Sequence, residues 1–331
     1  MDEGDLTLGH RLDQLVEGDW LDAFVEIAET HGHWQALGDD HFAALVEDGQ
    51  TLLVTFETLP MLRTTGRPLG WKFVTEQGWS HLCLVSDGDT WFRDPVVYGY
   101  FDRLSDDGFF EDFDRVLFYG AGPCGYAAAA FSVAAPGARV LAVAPQATLD
   151  PGQAGWDDRF PRMRRTDFDD RYGYAPDMVE AADAAWIVYD PAEPMDAMHA
   201  ALYRRPHVTA LPFRWIGAGP DRDLAAMDLL PQMIAQAADG SLTRDGFNAM
   251  LRARRTYPPY LRRLLGALER RHHPELAAAL CRHVVARMKA PRFARRLSQL
   301  ETAAAARRAA RRDQAAPGPA APADTVTARA G

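Results

Sequence analysis

The stretch VLFYGAGPCGYAAAA, residues 116–130, passes from an apolar run through three glycines into a block of alanines. The run ending at Tyr119 has the length and composition of a buried strand, and the alanines read as a closely packed helix. Gly120, Gly122 and Gly125 spell G-x-G-x-x-G between them. A turn of this kind does one of two jobs. It lets a backbone approach a pyrophosphate, or it bends a strand into a helix so sharply that one side chain stands exposed at the corner.

Working outward, residues 5–35 carry helical spacing at Leu12, Leu15, Trp20, Leu21, Phe24, Val25 and Ile27. HFAALVEDGQTLLVTFE (41–57) places two apolar runs around Asp48-Gly49, a hairpin signal. Strands are expected at 81–86, 115–119, 139–145, 186–190 and 208–213, most of them separated by helical patterns. Apolar strands alternating with helices predict a mostly parallel, doubly wound sheet in an α/β fold. An insertion at about 148–183, rich in Asp, Arg and aromatics, is long enough to cover a site. From 243 to 300 the pattern turns helical and basic, with a turn near Pro274. The expected organisation is an N-terminal helical segment (1–40), an α/β domain (41–240), a basic helical appendage (241–300) and an Ala/Arg/Pro-rich tail (301–331). The last ~20 residues of that tail read as disordered by composition.

The chain has 331 residues, 47% of them hydrophobic and 25% charged, as expected of a folded domain. No apolar run is long enough to span a bilayer. MDEGDLTLGH lacks the basic and apolar parts of a secretory signal. Cys83, Cys124 and Cys281 lie too far apart to form a disulfide framework or a zinc pattern. A reduced, cytoplasmic setting is the expectation. Charge is unevenly divided: from Ser241 onward there are 19 Arg/Lys against 6 Asp/Glu, whereas the first 240 residues hold 17 against 40. The basic end forms a solvated helical face, or it meets an acidic partner such as nucleic acid or anionic lipid.

GAGPCG resembles the GAGPAG turn of flavin-dependent oxidoreductases, which implies FAD or NAD as a cofactor. Such a turn also needs an acid about 20 residues on to hold the ribose. The next strand, RVLAVAP, instead ends in Ala144 and Pro145, with no acid before Asp150. The wider stretch RVLFYGAGPCGYAAAAFSVAAPGARVLAVAPQATLDP resembles α/β-hydrolase-fold proteins of the bacterial polysaccharide-biosynthesis type, which typically read Y-G-S-S-M-G-G-Y-A-A followed by a strand and S-P-Q. Tyr119, Gly120, Gly125, Tyr126, Ala127, Ala128, Pro145 and Gln146 match that pattern. The resemblance covers about residues 80–240. It implies an α/β-hydrolase-like fold, with the triad acid at Asp190 in WIVYDPAEPMDAMHAALY and with Asp196 and His199 nearby.

The same alignment removes the chemistry. Gly122 stands at the nucleophile position without a side chain, and Pro123 stands at the oxyanion-donor position without an N–H. FRWIGAGPDRDL, after the last strand, has no histidine. Cys124 is the remaining nucleophile, with His199 as its base and Asp190 or Asp196 orienting it, an arrangement suited to acyl or glycan-ester chemistry. The alternatives are a packed thiol, a histidine on a helix surface and an acid that caps a loop. Trp91 and Arg93 in DTWFRDP either line a ligand pocket, together with Gly120, Gly122 and Gly125, or anchor the loop, Trp91 buried and Arg93 paired with Asp94 or another acid. RMRRTDFDDR (162–171) cradles an anion or pairs internally. His272, His273 and His283 lack the i, i+4 spacing of a helical metal site, so no metal is expected.

Some similar bacterial proteins are labelled phosphoadenosine phosphosulfate reductase. That family relies on S-G-G-x-D-S and E-C-G-L-H, and neither string occurs here. The residues lead to a catalytically degenerate α/β-hydrolase-like protein that binds or scaffolds a small molecule or a protein partner and needs no cofactor.

Overall fold

The computed structural model describes residues 7–9, 12, 15, 17–217 and 219–315. The chain divides into two compact units, residues 1–253 and 254–331. The first unit holds one eight-stranded sheet. Its strands are β1 (Gly32–Leu37), β2 (His41–Val46), β3 (Thr51–Thr58), β4 (Ser80–Ser86), β5 (Arg115–Ala121), β6 (Arg139–Val143), β7 (Ala184–Tyr189) and β8 (Val208–Pro212). They lie in the order β1-β2-β4-β3-β5-β6-β7-β8. Only the β1–β2 and β2–β4 pairings are antiparallel.

Helices α1 (Glu17–His31), α2 (Leu59–Thr65) and α3 (Trp71–Gln77) cover one face of the sheet. Their Trp20, Phe24, Leu62 and Trp71 share a core with Cys83 and Val85 of β4. Phe24 stacks on Trp71 with ring centroids 5.3 Å apart. On the other face, α4 (Pro95–Asp106) and α5 (Pro123–Phe131) bring Phe101, Tyr126 and Phe131 against Phe56, Leu84 and Phe118. Every residue of α5 from Cys124 to Phe131 is buried, so this helix is enclosed on all sides, as its alanines allow. Short helices α6 (Pro151–Ala154) and α7 (Ala175–Met178) lie in the insertion, and α8 (Pro194–Leu202), α9 (Pro220–Ala226), α10 (Leu230–Asp239) and α11 (Arg244–Met250) complete the unit. The arrangement is a mostly parallel, α/β-hydrolase-like sheet covered on both faces, as expected. The second unit consists largely of α12 (Pro258–Arg270), α13 (Pro274–Val285) and α14 (Pro291–Ala315), with Tyr260, Leu261, Cys281, Val284 and Phe293 buried.

Two local expectations are corrected. The runs flanking Asp48-Gly49 do not pair with each other, because β4 inserts between β2 and β3 and pairs with both. A turn signal reports local chain reversal and is blind to a strand arriving from 30 residues away. The helical pattern read over 5–35 gives way at Gly32 to the edge strand β1. There a Cβ would collide with the Leu45 carbonyl of β2, so close strand pairing demands the glycine. The tail expected at 301–331 begins as the last turns of α14, which runs to Ala315, and its remaining residues, 316–331, lie outside the described residues.

The order of strands fixes where a ligand can sit. The connection leaving β3 runs to β4 on one side, and the connection leaving β5 runs to β6 on the other. The carboxyl ends of β3 and β5 therefore flank the topological switch point, where open α/β sheets bind their ligands.

Candidate functional site

At that switch point β5 ends in Ala121, and Gly122 turns the chain into α5 with φ 57° and ψ −125°. This is a corner that residues with side chains adopt only under strain. A Cβ built on Gly122 meets nothing within 4 Å, so a side chain at this position would project into open space. Gly122 N–H donates to the Val143 carbonyl of β6 at 2.8 Å, and its own carbonyl accepts from Tyr126 N–H at 2.9 Å. The flanking glycines serve packing: a Cβ on Gly120 would penetrate the Cys124 carbonyl, and one on Gly125 would lie 3.1 Å from the Gly120 carbonyl oxygen. The backbone thus turns sharply from strand into helix, and the position at the tip of the turn has no side chain. Pro123 occupies the first position of α5, where a ring with fixed φ is welcome and no N–H is available.

Cys124 follows, 5% exposed among apolar neighbours. Burial, reinforced by the charges of Glu57, Asp221 and Asp89, pushes its thiol well above the ordinary range, so it stays protonated. His199 lies on α8 and is fully buried rather than on a helix surface. Its Nδ1 accepts from the Ala147 N–H at 3.1 Å and its Nε2 lies 2.9 Å from Asp157 Oδ2. A backbone N–H can only donate, so the ring is the neutral tautomer carrying its proton on Nε2. Burial lowers the His199 pKa further, against the pull of Asp157. Asp157 is clasped in turn by Arg159, whose Nη1 also reaches Asp196 Oδ1 at 2.6 Å. Burial opposes the Asp157 carboxylate, but hydrogen bonds from Arg159 and His199 outweigh it and hold the pKa down at about 2. Both nitrogens of His199 are spent, and neither is left for Cys124.

Asp190 follows β7, where the resemblance puts the triad acid, and it is 1% exposed. Its Oδ1 accepts from Ala192 N–H at 2.8 Å and its Oδ2 from Ile216 N–H at 3.0 Å. The acid therefore grips the segment after β8, the segment that would carry a base. Cys124, Asp190 and His199 are held by three separate sets of partners.

Trp91 and Arg93 each reach across to other segments. Trp91 Nε1 donates to Gln146 Oε1 at 3.2 Å, and Trp91 and Phe92 both take left-handed backbone, φ 52° and 55°. Among the described residues Arg93 pairs with no acid: it donates to the carbonyls of Asp167 and Arg171 in the insertion and lies over the rings of Tyr98 and Phe168. Asp94 instead caps α4 through Val96 N–H. Tyr126 reaches the same insertion, its hydroxyl donating to the carbonyls of Tyr172 and Gly173. Within 162–171, Arg171 pairs with Asp102 of α4, outside its own segment.

One cluster escaped the reading of the sequence. Glu57 of β3, with His81 and Cys83 of β4, is buried beneath α2 and α3, and Thr55 Oγ1 lies 2.8 Å from both Glu57 Oε1 and His81 Nε2. Burial raises the Glu57 carboxyl to about 7, against hydrogen bonds from Thr55, Leu69 N–H and Cys83. Burial also holds His81 neutral, down at about 3. The signal was a period of two: T-x-E and H-x-C place all four side chains on one face.

No protein-family profile and no curated protein matches the chain. Among solved structures, it is similar to the capsule O-acetyltransferase of Neisseria meningitidis serogroup A at 12% identity and a TM-score of 0.42, over 60% of this chain and 92% of that one. It is also similar to brefeldin A esterase, a bacterial homologue of human hormone-sensitive lipase, at 12% identity and 0.39, over 63% of this chain and 77% of that one. A fluorophosphonate-binding serine hydrolase of Staphylococcus aureus aligns at 10% identity and 0.39, over 62% and 95%.

Proposed function

We propose that this chain is a hydrolase-fold protein that binds a ligand or partner at the switch-point crevice without turning it over. The observation that carries the reading is Gly122, an elbow tip with φ 57°, open space around it and no nucleophile. Serine hydrolysis needs a nucleophile, an N–H for the developing oxyanion and a base within reach. Gly122 and Pro123 take the places of the first two, and no histidine occurs between His207 and His272. The buried, protonated thiol of Cys124 supports the same reading. The insertion, held by Arg93 and Tyr126, and the corner at Gly122 survive as scaffold around the place where such folds take their ligands.

The test offers activated acetyl and butyryl esters to the full chain and follows its melting temperature with FAD, NAD, NADP, acyl-CoA and oligosaccharides. The expected result is ester turnover no greater than that of an unrelated protein. A ligand at 100 times its Kd adds about 2.7 kcal/mol, a rise of several degrees for a chain of this size. Saturable turnover abolished by Cys124→Ala would overturn the reading, and a shift confined to FAD, NAD or NADP would replace it with the dinucleotide one.

A further inference from the structure

Three chemically different ligand types meet in the sheet core one strand away from the elbow, and none has a solvent path of its own. Glu57 is 2% exposed, and His81, Cys83 and Thr55 are fully buried. Cys83 Sγ lies 3.6 Å from Glu57 Oε1. One ligand atom each from Glu57, His81 and Cys83 all fall within 4.8 Å of one another. Tetrahedral zinc, with bonds of about 2.0–2.3 Å, spaces its ligand atoms by roughly 3.3–3.8 Å, so the set closes on an ion with shifts of about 1 Å or less.

The surroundings are built to hold these groups. A Cβ at Gly70 would collide with the His81 ring, so the glycine makes room for the imidazole. Leu69 N–H donates to Glu57 Oε1 at 3.1 Å and orients the carboxylate, as outer partners of metal ligands do. Register places Thr55 opposite Cys83 on one side and Tyr119 on the other, so these side chains share a face. His81 Nδ1 and Tyr119 Oη are both buried and have no hydrogen-bond partner among the described residues. Buried polar atoms without a partner call for a physical explanation, and it is the other nitrogen of the His81 ring, Nε2, that faces Thr55.

We propose that Glu57, His81 and Cys83 form a buried zinc site, with the Thr55 hydroxyl beside its fourth position. A thiolate, an imidazole and a carboxylate are a donor set for zinc and too soft for magnesium or calcium. Binding displaces the thiol proton of Cys83 and any proton on Glu57, leaving two negative ligands to match the dication. The ion would tie β3 to β4, and through Leu69 and Gly70 would brace the α2–α3 turn beside the switch-point crevice. The site is independent of whether the elbow is silent.

The experiment measures metal content by elemental mass spectrometry on the full chain, expressed with added zinc and purified without a polyhistidine tag. It then compares melting temperatures before and after a strong chelator. The expected result is about one zinc per chain and a lower melting temperature after chelation. Cys83→Ser should lose the zinc, and Cys281→Ser should retain it. Cobalt substitution should give a thiolate-to-metal charge-transfer band in the wild type. Metal-free wild type whose melting temperature responds neither to zinc nor to chelator would overturn the proposal. So would zinc retained in full by Cys83→Ser, which would place the ion elsewhere, for example on the histidines of 272–283.

Discussion

Asp190 Oδ2 accepts a hydrogen bond from the backbone N–H of Ile216 at 3.0 Å, joining the end of β7 to the segment that follows β8. In a working triad this acid would orient a histidine carried by that same segment. Here the partner is main chain, and the second oxygen is taken by Ala192 N–H. Both carboxylate oxygens of Asp190 are thus committed to main-chain amides.

Asp190→Ala leaves two amide donors without acceptors, one of them in a buried setting. The expected loss is about 2–5 kcal/mol of stability, with Asp190→Asn costing less because its carbonyl still accepts one bond. Denaturant unfolding of the two variants measures the difference. A catalytic role would instead appear as lost turnover at unchanged stability.

Gly120 and Gly122 differ in what they forbid. At Gly120 an added Cβ meets the Cys124 carbonyl, which cannot move without breaking α5, so Gly120→Ala should cost about 3 kcal/mol or more. At Gly122 there is space and only backbone strain to overcome, so Gly122→Ala should cost about 1–3 kcal/mol. Urea midpoints at constant slope rank the two.

How much of this was legible in the sequence follows from which contacts are local. The elbow was readable because its glycines act over six residues, and β6, β7 and β8 announced themselves as apolar runs between helical patterns. The pairing of β2 with β4 was not, because a turn signal at Asp48-Gly49 carries no information about β4. The partner of His199 was equally hidden. Asp157 lies 42 residues upstream in an irregular insertion, where no periodicity links the two. The Glu57 cluster was present as two short alternations on neighbouring strands, visible only once β3 and β4 are known to pair in register.

The His199–Asp157–Arg159 network makes stability depend on acidity. His199 is neutral in the fold with its pKa lowered by burial, so below about pH 6.5 the unfolded chain binds the extra proton and stability falls. Asp157, lowered from 3.8 to about 2 in the fold, contributes stability above about pH 4 that is lost as the pH drops towards 2. With allowance for solvent screening, that second contribution is roughly 1–2 kcal/mol. Because Glu57, raised to about 7, adds stability as the pH falls over part of this range while His81, held down at about 3, loses it, the test is a difference: the unfolding free energy of the wild type minus that of Asp157→Asn, measured from pH 7.5 to 3, should be constant above about pH 5 and shrink below about pH 4.

Arg93 ties the loop after β4 to the insertion through two carbonyls and the ring of Phe168, and lies over Tyr98 of α4 as well. Arg93→Ala should cost about 1–3 kcal/mol and should accelerate limited proteolysis within 151–174 several-fold while the sheet stays protected. Fragment masses identify the cut. Uniform cleavage across the chain would show that the anchor stabilises the whole unit instead.

The central claim, an elbow with no nucleophile at its tip, is tested most directly by exposing the full chain to a fluorophosphonate probe and reading its intact mass. No adduct is expected on residues 119–126 at probe concentrations that label a serine esterase completely, and no change on Cys124→Ala. A stoichiometric adduct within that stretch would contradict it, because it would reveal an activated nucleophile where the structure has only Gly122, Pro123 and a buried thiol.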